Sequence, residues 1–430
     1  MQHRITNYIK LVGIHFLIFC IFYLIFSFFG FIKGFPTNET ISQWDVGWYK
    51  SIIKDGYSFI ENKQSNVAFF PLFPLFWKFT HLSPIGISIV NLLCFYSGMF
   101  ILFKTFNLDA KKLLLLLSIP SLFFCYVPYT ESLFFLAGSF IIYGLKRNHW
   151  LVILGVFLAC LTRSASLIFI PIILFSKLYN LTTERENNRK IIKETVLLIL
   201  TAIIATLLAQ YIQYLYTGQF FTIFKAQKAW NRIIKIPTLY FTTWDEARLI
   251  WLDGLAFLIG TLGIVLSVIL LIKKIKNKHK KISSDYLFSI SYLGLVTLVT
   301  VLYSGEDANG GTSLVSLNRY VFSTPFFMLF LIMLLKRNRL MKNQLIVFIT
   351  ISIITWLMFH ATGYLHNLDC FVVSSAKTQI YFGIIILYSL IYMLLSNKKY
   401  LSLLWSGFYL LNIIIQIFLF NSFLNGIWIG

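Results

Sequence analysis

Apolar residues follow one another in runs of about 20 residues from one end of this chain to the other, separated by short polar tracts. A helix of that length crosses the hydrocarbon core of a bilayer, so each run is a candidate membrane span. The pattern predicts an all-α polytopic membrane protein with about 13 transmembrane helices, as counted from the sequence. The predicted bounds are 11–32, 85–103, 113–126, 130–145, 150–162, 166–177, 195–216, 253–272, 285–303, 320–335, 343–361, 379–395 and 401–425.

The composition excludes an ordinary soluble domain. Of the 430 residues, 58% are hydrophobic and only 12% are charged, whereas soluble domains carry about 25% charged residues. Too little polar surface remains to cover a globule in water. The same figures exclude a nucleic-acid-binding domain, a disordered tail and a secreted disulfide scaffold. The five cysteines are scattered and lack metal-ligand spacing, so we propose no disulfide.

The net charge of +21 comes from lysines and arginines placed in the tracts between apolar runs. Such tracts are typical of cytoplasmic loops, so we predict a cytoplasmic N-terminus and an outside C-terminus. The segment 150–177 decides this alternation, because one long kinked helix there would invert every later span. We favour two short spans, since the lysine tract 273–281 then falls inside. The outside then receives most of the acidic residues: Glu39, Asp45, Asp55, Glu61, Glu131, Asp245, Glu246, Asp253, Glu306, Asp307 and Asp369.

The first outside loop, 33–84, contains a predicted interfacial helix at 46–57. Its apolar stripe is formed by Trp48, Tyr49, Ile52 and Ile53, while Lys50 and Lys54 lie on the other side, and Gly56 is a plausible stop. Asp45 precedes this helix and is either its N-cap or a functional carboxylate. The two interpretations are compatible, because a capped carboxylate stays ionised and can act as a base or metal ligand.

Four stretches of the chain resemble the PIG-V family, which holds the second mannosyltransferase of GPI-anchor synthesis and its prokaryotic relatives. The resemblance is dense over 44–166 and thin beyond. The stretches are Trp44-Asp45 with Trp48-Tyr49, Gly56-Tyr57 and the run 68–74; Tyr129-Thr130-Glu131-Ser132-Leu133-Phe134; Leu161-Thr162-Arg163-Ser164-Ala165-Ser166, where Ala165 and Ser166 replace an Asn-Gly; and Asn318-Arg319-Tyr320 followed by Pro325.

The resemblance implies the GT-C membrane fold and an enzyme that uses a polyprenyl-phosphate-linked sugar on the extracytoplasmic or luminal side. It implies that Asp45 is the catalytic base or a metal ligand, and that Glu131 is the second acidic residue. A divalent cation such as Mg²⁺ or Mn²⁺, held by Asp45 and Glu131, is the candidate cofactor. The implied catalytic module is 1–194, followed by a variable transmembrane module, 195–430, with outside loops 217–252, 304–319 and 362–378.

Further side chains fit such chemistry. Arg163 and Arg319 lie at outside ends of spans, where they bind phosphate oxygens or reach lipid headgroups. We expect substrate contacts from these arginines and from Trp44, Trp48, Tyr49, Lys50 and Tyr320. Two weaker candidates are the second Trp-Asp pair, Trp244-Asp245, and a metal-binding trio formed by His360, His366 and Asp369.

We therefore expect an inverting hexosyltransferase with mannose as the favoured sugar. Its acceptor would be a lipid-linked or surface glycan, in the plasma membrane of a prokaryote or the endoplasmic reticulum of a eukaryote. Its other partners would be membrane lipids, without nucleic acid. The alternatives are a transporter or flippase of a lipid-linked glycan and a non-catalytic scaffold. Transporters carry ionisable residues at the membrane midplane, whereas the acidic residues here gather at helix ends.

Overall fold

A computed structural model describes residues 2–181, 185–230, 232–238, 241–243, 250–276, 282–304, 312–335 and 398–429, with positions 346 and 350. The helices of these residues are α1 (Gln2–Phe28), α2 (Asp45–Asp55), α3 (Leu72–Thr80), α4 (Pro84–Phe106), α5 (Ala110–Leu117), α6 (Glu131–Arg147), α7 (His149–Thr162), α8 (Ser166–Leu178), α9 (Arg185–Thr217), α10 (Thr222–Ala229), α11 (Ile250–Ile275), α12 (Ser284–Leu302), α13 (Leu317–Phe322), α14 (Pro325–Leu335) and α15 (Lys398–Leu424).

Short 3₁₀ turns and strands connect these helices. The 3₁₀ turns are Asn66–Ala68 and Pro120–Cys125. Strand β1 (Ile233–Ile234) pairs antiparallel with β3 (Tyr303–Ser304), and β2 (Phe241–Thr242) pairs parallel with β4 (Thr312–Ser313). These pairs join strands that precede α11 to strands that lie between α12 and α13.

The protein is mostly helical, and six helices of the described residues are long and apolar enough to cross a membrane. Those helices are α1, α4, α9, α11, α12 and α15, and the shorter apolar helices are α7, α8 and α14. The prediction of an all-α membrane protein is therefore supported at this coarse level. The count of thirteen spans is not confirmed, since most of 343–361 and all of 379–395 lie outside the described residues.

The predicted span 113–126 is wrong as a continuous helix. Helix α5 ends at Leu117, and a 3₁₀ turn begins at Pro120, which has no N–H to donate. The polar atoms freed by this break are paired by α15: Gln416 Nε2 donates to the Ile119 carbonyl at 3.2 Å, and Asn412 Nδ2 donates to Ser118 Oγ at 3.4 Å. An interrupted helix persists in a membrane protein only where neighbours satisfy the backbone in this way.

The segment 150–177 forms two antiparallel helices, α7 and α8. His149 begins α7 and Lys177 lies near the end of α8, yet both contact the same carboxylate. Lys177 Nζ lies 2.6 Å from Glu194 Oε2, and His149 Nδ1 lies 3.9 Å from it. The chain therefore reverses direction at residues 163–165, as the two-span interpretation predicts.

The helix ends form two chemically different faces. At one of them, which we call the basic end, Arg4 donates to Asn107, Lys146 pairs with Asp285, and Lys274 donates to the Tyr179 carbonyl. The lysines and arginines of the six candidate membrane-spanning helices lie at this end, which is the arrangement that the predicted alternation requires. The opposite face, which we call the acidic end, contains the loop between α1 and α4. Which membrane side each end faces stays a prediction.

One continuous apolar core joins the two predicted modules. It contains buried residues of α4, α6 and α7 together with residues of α11, α12 and α15. Close helix contacts need small residues: a Cβ added to Gly155 of α7 would lie 2.5 Å from the Ala137 carbonyl oxygen of α6. The boundary at residue 194 stays a prediction, because both modules contribute to the same packed interior.

We expect the acidic end to lie outside the cytoplasm. A protease-cleavable tag inserted after Lys63, in the exposed loop between α2 and α3, should be cut by external protease in intact cells or sealed vesicles of native orientation. The same tag placed before Gln2, at the basic end, should be protected until the membrane is permeabilised. Cleavage of only the N-terminal tag would reverse the predicted orientation.

Candidate functional site

Four separate parts of the chain meet at the acidic end and bring together two carboxylates and two arginines. Asp45 begins α2, Glu131 begins α6, Arg163 follows α7, and Arg319 belongs to α13. The stretches that resemble the PIG-V family therefore supply one cluster, which we call the acidic-end site. Glu131 and Arg319 are buried, while Asp45 and Arg163 are partly exposed.

Helix α2 forms as the sequence predicts and presents Asp45 at its first turn. Its buried face is Val46, Tyr49 and Ile52, its lysines are exposed, and it stops at Gly56, whose φ is +79°. The N-cap position, however, belongs to Trp44, and no side chain caps the helix. The N-cap interpretation of Asp45 is therefore wrong, because its carboxylate is engaged elsewhere.

The residue before Asp45 has an unusual backbone. Trp44 adopts φ 56° and ψ −114°, a region that side-chain-bearing residues occupy only at a cost. Its indole makes an edge contact with Trp428, with ring centroids 5.1 Å apart. The Asp45 N–H donates to the Tyr129 hydroxyl at 3.4 Å. These contacts, from Trp428 in the segment after α15 and from Tyr129 just before α6, hold the strained turn, and the Asp45 side chain pairs with Arg319 of α13.

Arg319 lies between the two carboxylates. Its Nη1 donates to Asp45 Oδ2 at 2.8 Å, and its Nε lies 3.2 Å from Glu131 Oε1. Arg163 also pairs with Glu131 Oε1 through Nη2, and its Nε donates to Thr130 Oγ1 at 3.0 Å. The four charges thus form one alternating chain that is neutral as a whole: Asp45, Arg319, Glu131 and Arg163.

Aromatic rings enclose the guanidinium groups. The Tyr320 ring lies 5.2 Å from the Arg319 carbon Cζ and 5.3 Å from that of Arg163, so it stands between them. Tyr129 and Phe124 lie 5.3 and 5.6 Å from Arg319. Such contacts stabilise a guanidinium that has left water. Tyr320 also accepts a hydrogen bond from Arg319 Nη2 at 3.3 Å through its hydroxyl.

The electrostatics of the cluster keep its cations charged. Burial alone lowers the pKa of Arg319, but Tyr320, Asp45 and Glu131 oppose it and hold that pKa well above its usual value. Burial, followed by the charge of Asp45, raises the pKa of both Tyr49 and Tyr129. At neutral pH Tyr49 and Tyr129 are therefore protonated beside a permanently charged arginine.

A buried aspartate positions the helix that bears Arg319. Asp253 Oδ1 accepts hydrogen bonds from the backbone N–H and from Nδ2 of Asn318, each at 2.9 Å, and its Oδ2 accepts one from Thr243 at 2.7 Å. Asn318 Nδ2 also donates to the Ile429 carbonyl at 3.3 Å. Asp253 thus caps α13 from α11, because Ser316 at the N-cap supplies no side-chain bond.

The other predicted contact residues take different places. Trp48 is half-buried and packs against Phe69 and Trp230. Tyr49 is buried with its ring against Phe69, Phe73 and Tyr129. Lys50 is exposed, and its Nζ donates to Ser42 Oγ at 2.7 Å. The structure therefore brings Tyr320, Asp45, Glu131, Arg163 and Arg319 together, and it places Lys50 on the outer face of α2.

Several participants escaped prediction. Tyr129 and Thr130 lie in a stretch that was noticed for Glu131, and Asp253 was noticed only as an outside acid. For Tyr129 and Thr130 the signal is adjacency to Glu131, whereas Asp253 lies 65 positions from its partner Asn318 and no local pattern marks it. The weaker candidates Trp244, Asp245, His360, His366 and Asp369 lie outside the described residues.

The residues of this site fit charge neutralisation by arginine better than a resident divalent cation. Among the residues that the structure describes, no three histidine, cysteine, aspartate or glutamate side chains lie close enough to hold a metal. Asp45 and Glu131 already share Arg319, so a cation between them would stand beside a guanidinium. One oxygen, Glu131 Oε2, is buried without a hydrogen-bond partner. A metal role for Asp45 and Glu131 stays a prediction.

We expect Glu131 and Arg163 to be energetically coupled. Glu131→Gln leaves buried guanidinium charge uncompensated, which should cost about 3–5 kcal/mol in the free energy of unfolding. Adding Arg163→Gln should recover part of that loss in a double-mutant cycle in detergent micelles. Lys112→Gln, which breaks the exposed pair with Asp109, is the control and should cost less than about 1 kcal/mol. Strictly additive effects would contradict the coupling.

Comparisons with known proteins assign neither a family nor a function to this chain. No family model, no curated protein and no solved structure matches the chain. The resemblance to the PIG-V family therefore depends on the quoted stretches and on their convergence at the acidic-end site.

Proposed function

We propose that this protein is an integral membrane glycosyltransferase of the GT-C type. It transfers a hexose, with mannose favoured, from a polyprenyl-phosphate-linked donor to a lipid-linked or surface glycan on the extracytoplasmic side. The observation that carries the proposal is the alternating cluster of Asp45, Arg319, Glu131 and Arg163. These residues are distant in sequence and come from the stretches that resemble one glycosyltransferase family.

Asp45 is the general base of the proposed reaction. Arg319 engages its Oδ2, and no described residue forms a hydrogen bond with its Oδ1 in this arrangement. The acceptor hydroxyl oxygen attacks the anomeric carbon of the donor sugar while Asp45 takes the hydroxyl proton. The new glycosidic bond forms on the face opposite the phosphate, so the configuration at that carbon inverts.

The arginines stabilise the leaving group. As the bond between the anomeric carbon and the phosphate oxygen breaks, its electron pair stays on the polyprenyl phosphate, which gains negative charge. Guanidinium groups bind phosphate oxygens through charge-assisted hydrogen bonds. Arg163 uses Nε and Nη2 within the protein, so Nη1 remains available to the phosphate. Glu131 holds Arg163 and Arg319 in place.

The position of charge supports a transferase over a transporter. In the six candidate spans of the described residues, aspartate, glutamate, lysine and arginine occur only within the first or last two turns. A transporter of a charged lipid-linked glycan would place ionisable groups near the midplane. Chemistry at the headgroup level needs them at the helix ends, where the acidic-end site lies.

We expect Asp45→Asn to abolish sugar transfer, since removal of a general base costs about 10²–10⁴-fold in rate. The amide is nearly isosteric, so the variant should still fold and insert. Asp55→Asn changes an exposed aspartate of the same helix and is the matched control, which should keep full activity. Normal turnover by Asp45→Asn would remove the proposed mechanism.

The donor class is tested with purified protein in detergent or liposomes. Labelled polyprenyl-phosphate mannose should yield labelled acceptor lipid, and the corresponding nucleotide sugar should not. Transfer from the nucleotide sugar alone would refute the donor assignment. Movement of unmodified lipid-linked glycan between leaflets, with no new glycosidic bond, would instead support the flippase alternative.

A further inference from the structure

A second polar feature lies at the basic end, on the far side of the protein from the acidic-end site. It is a cavity of about 480 Å³ lined by His149, Arg189, Lys190, Lys193, Glu194 and Leu197. These residues come from the first turn of α7 and the first turns of α9. Such a volume is in the range of small-ligand pockets.

The cavity has a surplus of positive charge. Its one carboxylate, Glu194, is neutralised by Lys177, whose Nζ lies 2.6 Å away. Arg189, Lys190 and Lys193 are exposed, and none forms an ion pair with the described residues. Among the residues that the structure describes, the cavity is therefore lined by three cations and by one carboxylate that already pairs with Lys177, which is an arrangement that an external anion completes.

A buried polar atom in the wall also lacks a partner. His149 contributes Nδ1 to the contact with Glu194, but its Nε2 is buried and forms no hydrogen bond. Buried polar groups are nearly always paired in native structures. His149 Nε2 is thus a polar atom of the wall that a polar occupant could pair.

An apolar lane leads away from the cavity along α9. Leu197 lies one turn beyond Lys193, and Leu200, Ile204 and Leu207 follow at helical spacing, each between 42% and 57% exposed. Trp150, at the start of α7, is 75% exposed. A tryptophan at a helix end is typical of the membrane interface. The cations therefore lie where headgroups would be and the lane where acyl chains would be.

We propose that this cavity is a binding site for the phosphate of an anionic phospholipid in the leaflet at the basic end. Arg189, Lys190 and Lys193 bind the headgroup phosphate, and one acyl chain lies along Leu197, Leu200 and Ile204. The apolar lane favours a lipid over free phosphate, because inorganic phosphate would use only the cations. The proposal does not depend on the glycosyltransferase assignment.

The test measures lipid retention by the full-length protein. Native mass spectrometry from detergent should show a bound phosphatidylglycerol that phosphatidylcholine does not replace at equal concentration. The variant with Arg189→Gln, Lys190→Gln and Lys193→Gln should bind phosphatidylglycerol at least tenfold more weakly, since each basic residue near an anionic lipid surface contributes to attraction. Phosphatidylglycerol should also raise the thermal unfolding temperature of the wild type. It should not raise that of the triple variant.

A matched control separates a site from general surface charge. Lys104, Arg147 and Lys273 are exposed basic residues at the same end, and replacing all three by glutamine removes the same charge. This control should retain phosphatidylglycerol like the wild type. An equal loss in both triple variants would overturn the proposal. Displacement of the lipid by millimolar inorganic phosphate alone would assign the cavity to free phosphate and would likewise overturn the lipid assignment.

Discussion

The acidic-end site depends on the placement of one buried guanidinium between two carboxylates. Without Arg319, Asp45 and Glu131 would place two negative charges together in a site partly withdrawn from water, which is unfavourable. With it, four segments far apart in sequence are held by ion pairs and hydrogen bonds. The same arginines therefore serve the fold and the proposed chemistry. They neutralise the carboxylates of the site, and they are the side chains that would bind a phosphate.

The surrounding fold explains why this network is rigid. Asp253 fixes the start of α13, Tyr320 stands between the two guanidinium groups, and Asp45 is held by the strained turn at Trp44. Preorganised charge of this kind costs no rearrangement when a leaving group develops negative charge. The basic end shows a different use of cations, where Arg189, Lys190 and Lys193 line an open cavity whose one carboxylate, Glu194, pairs with Lys177.

Much of the architecture could be predicted from local patterns, and the network could not. The α2 stripe, its stop at Gly56 and the reversal at 163–165 follow from side-chain periodicity, glycine and charge placement. The break at Pro120 was missed because an apolar run does not reveal which neighbour pairs the freed backbone, here Gln416. Likewise, the sequence suggested Asp45 and Arg319 separately, but their contact spans 274 positions and requires the tertiary fold.

The segment that follows the last described helix has a consequence for biogenesis. Asn318 donates to the carbonyl of Ile429, 111 positions later, and Trp428 packs on the strained Trp44. Ribosomes deliver these C-terminal residues after every other part of the site has entered the membrane. The first loop therefore lacks part of its packing until these residues have been translated, and a truncation before Trp428 would leave the turn at Trp44 without that ring contact.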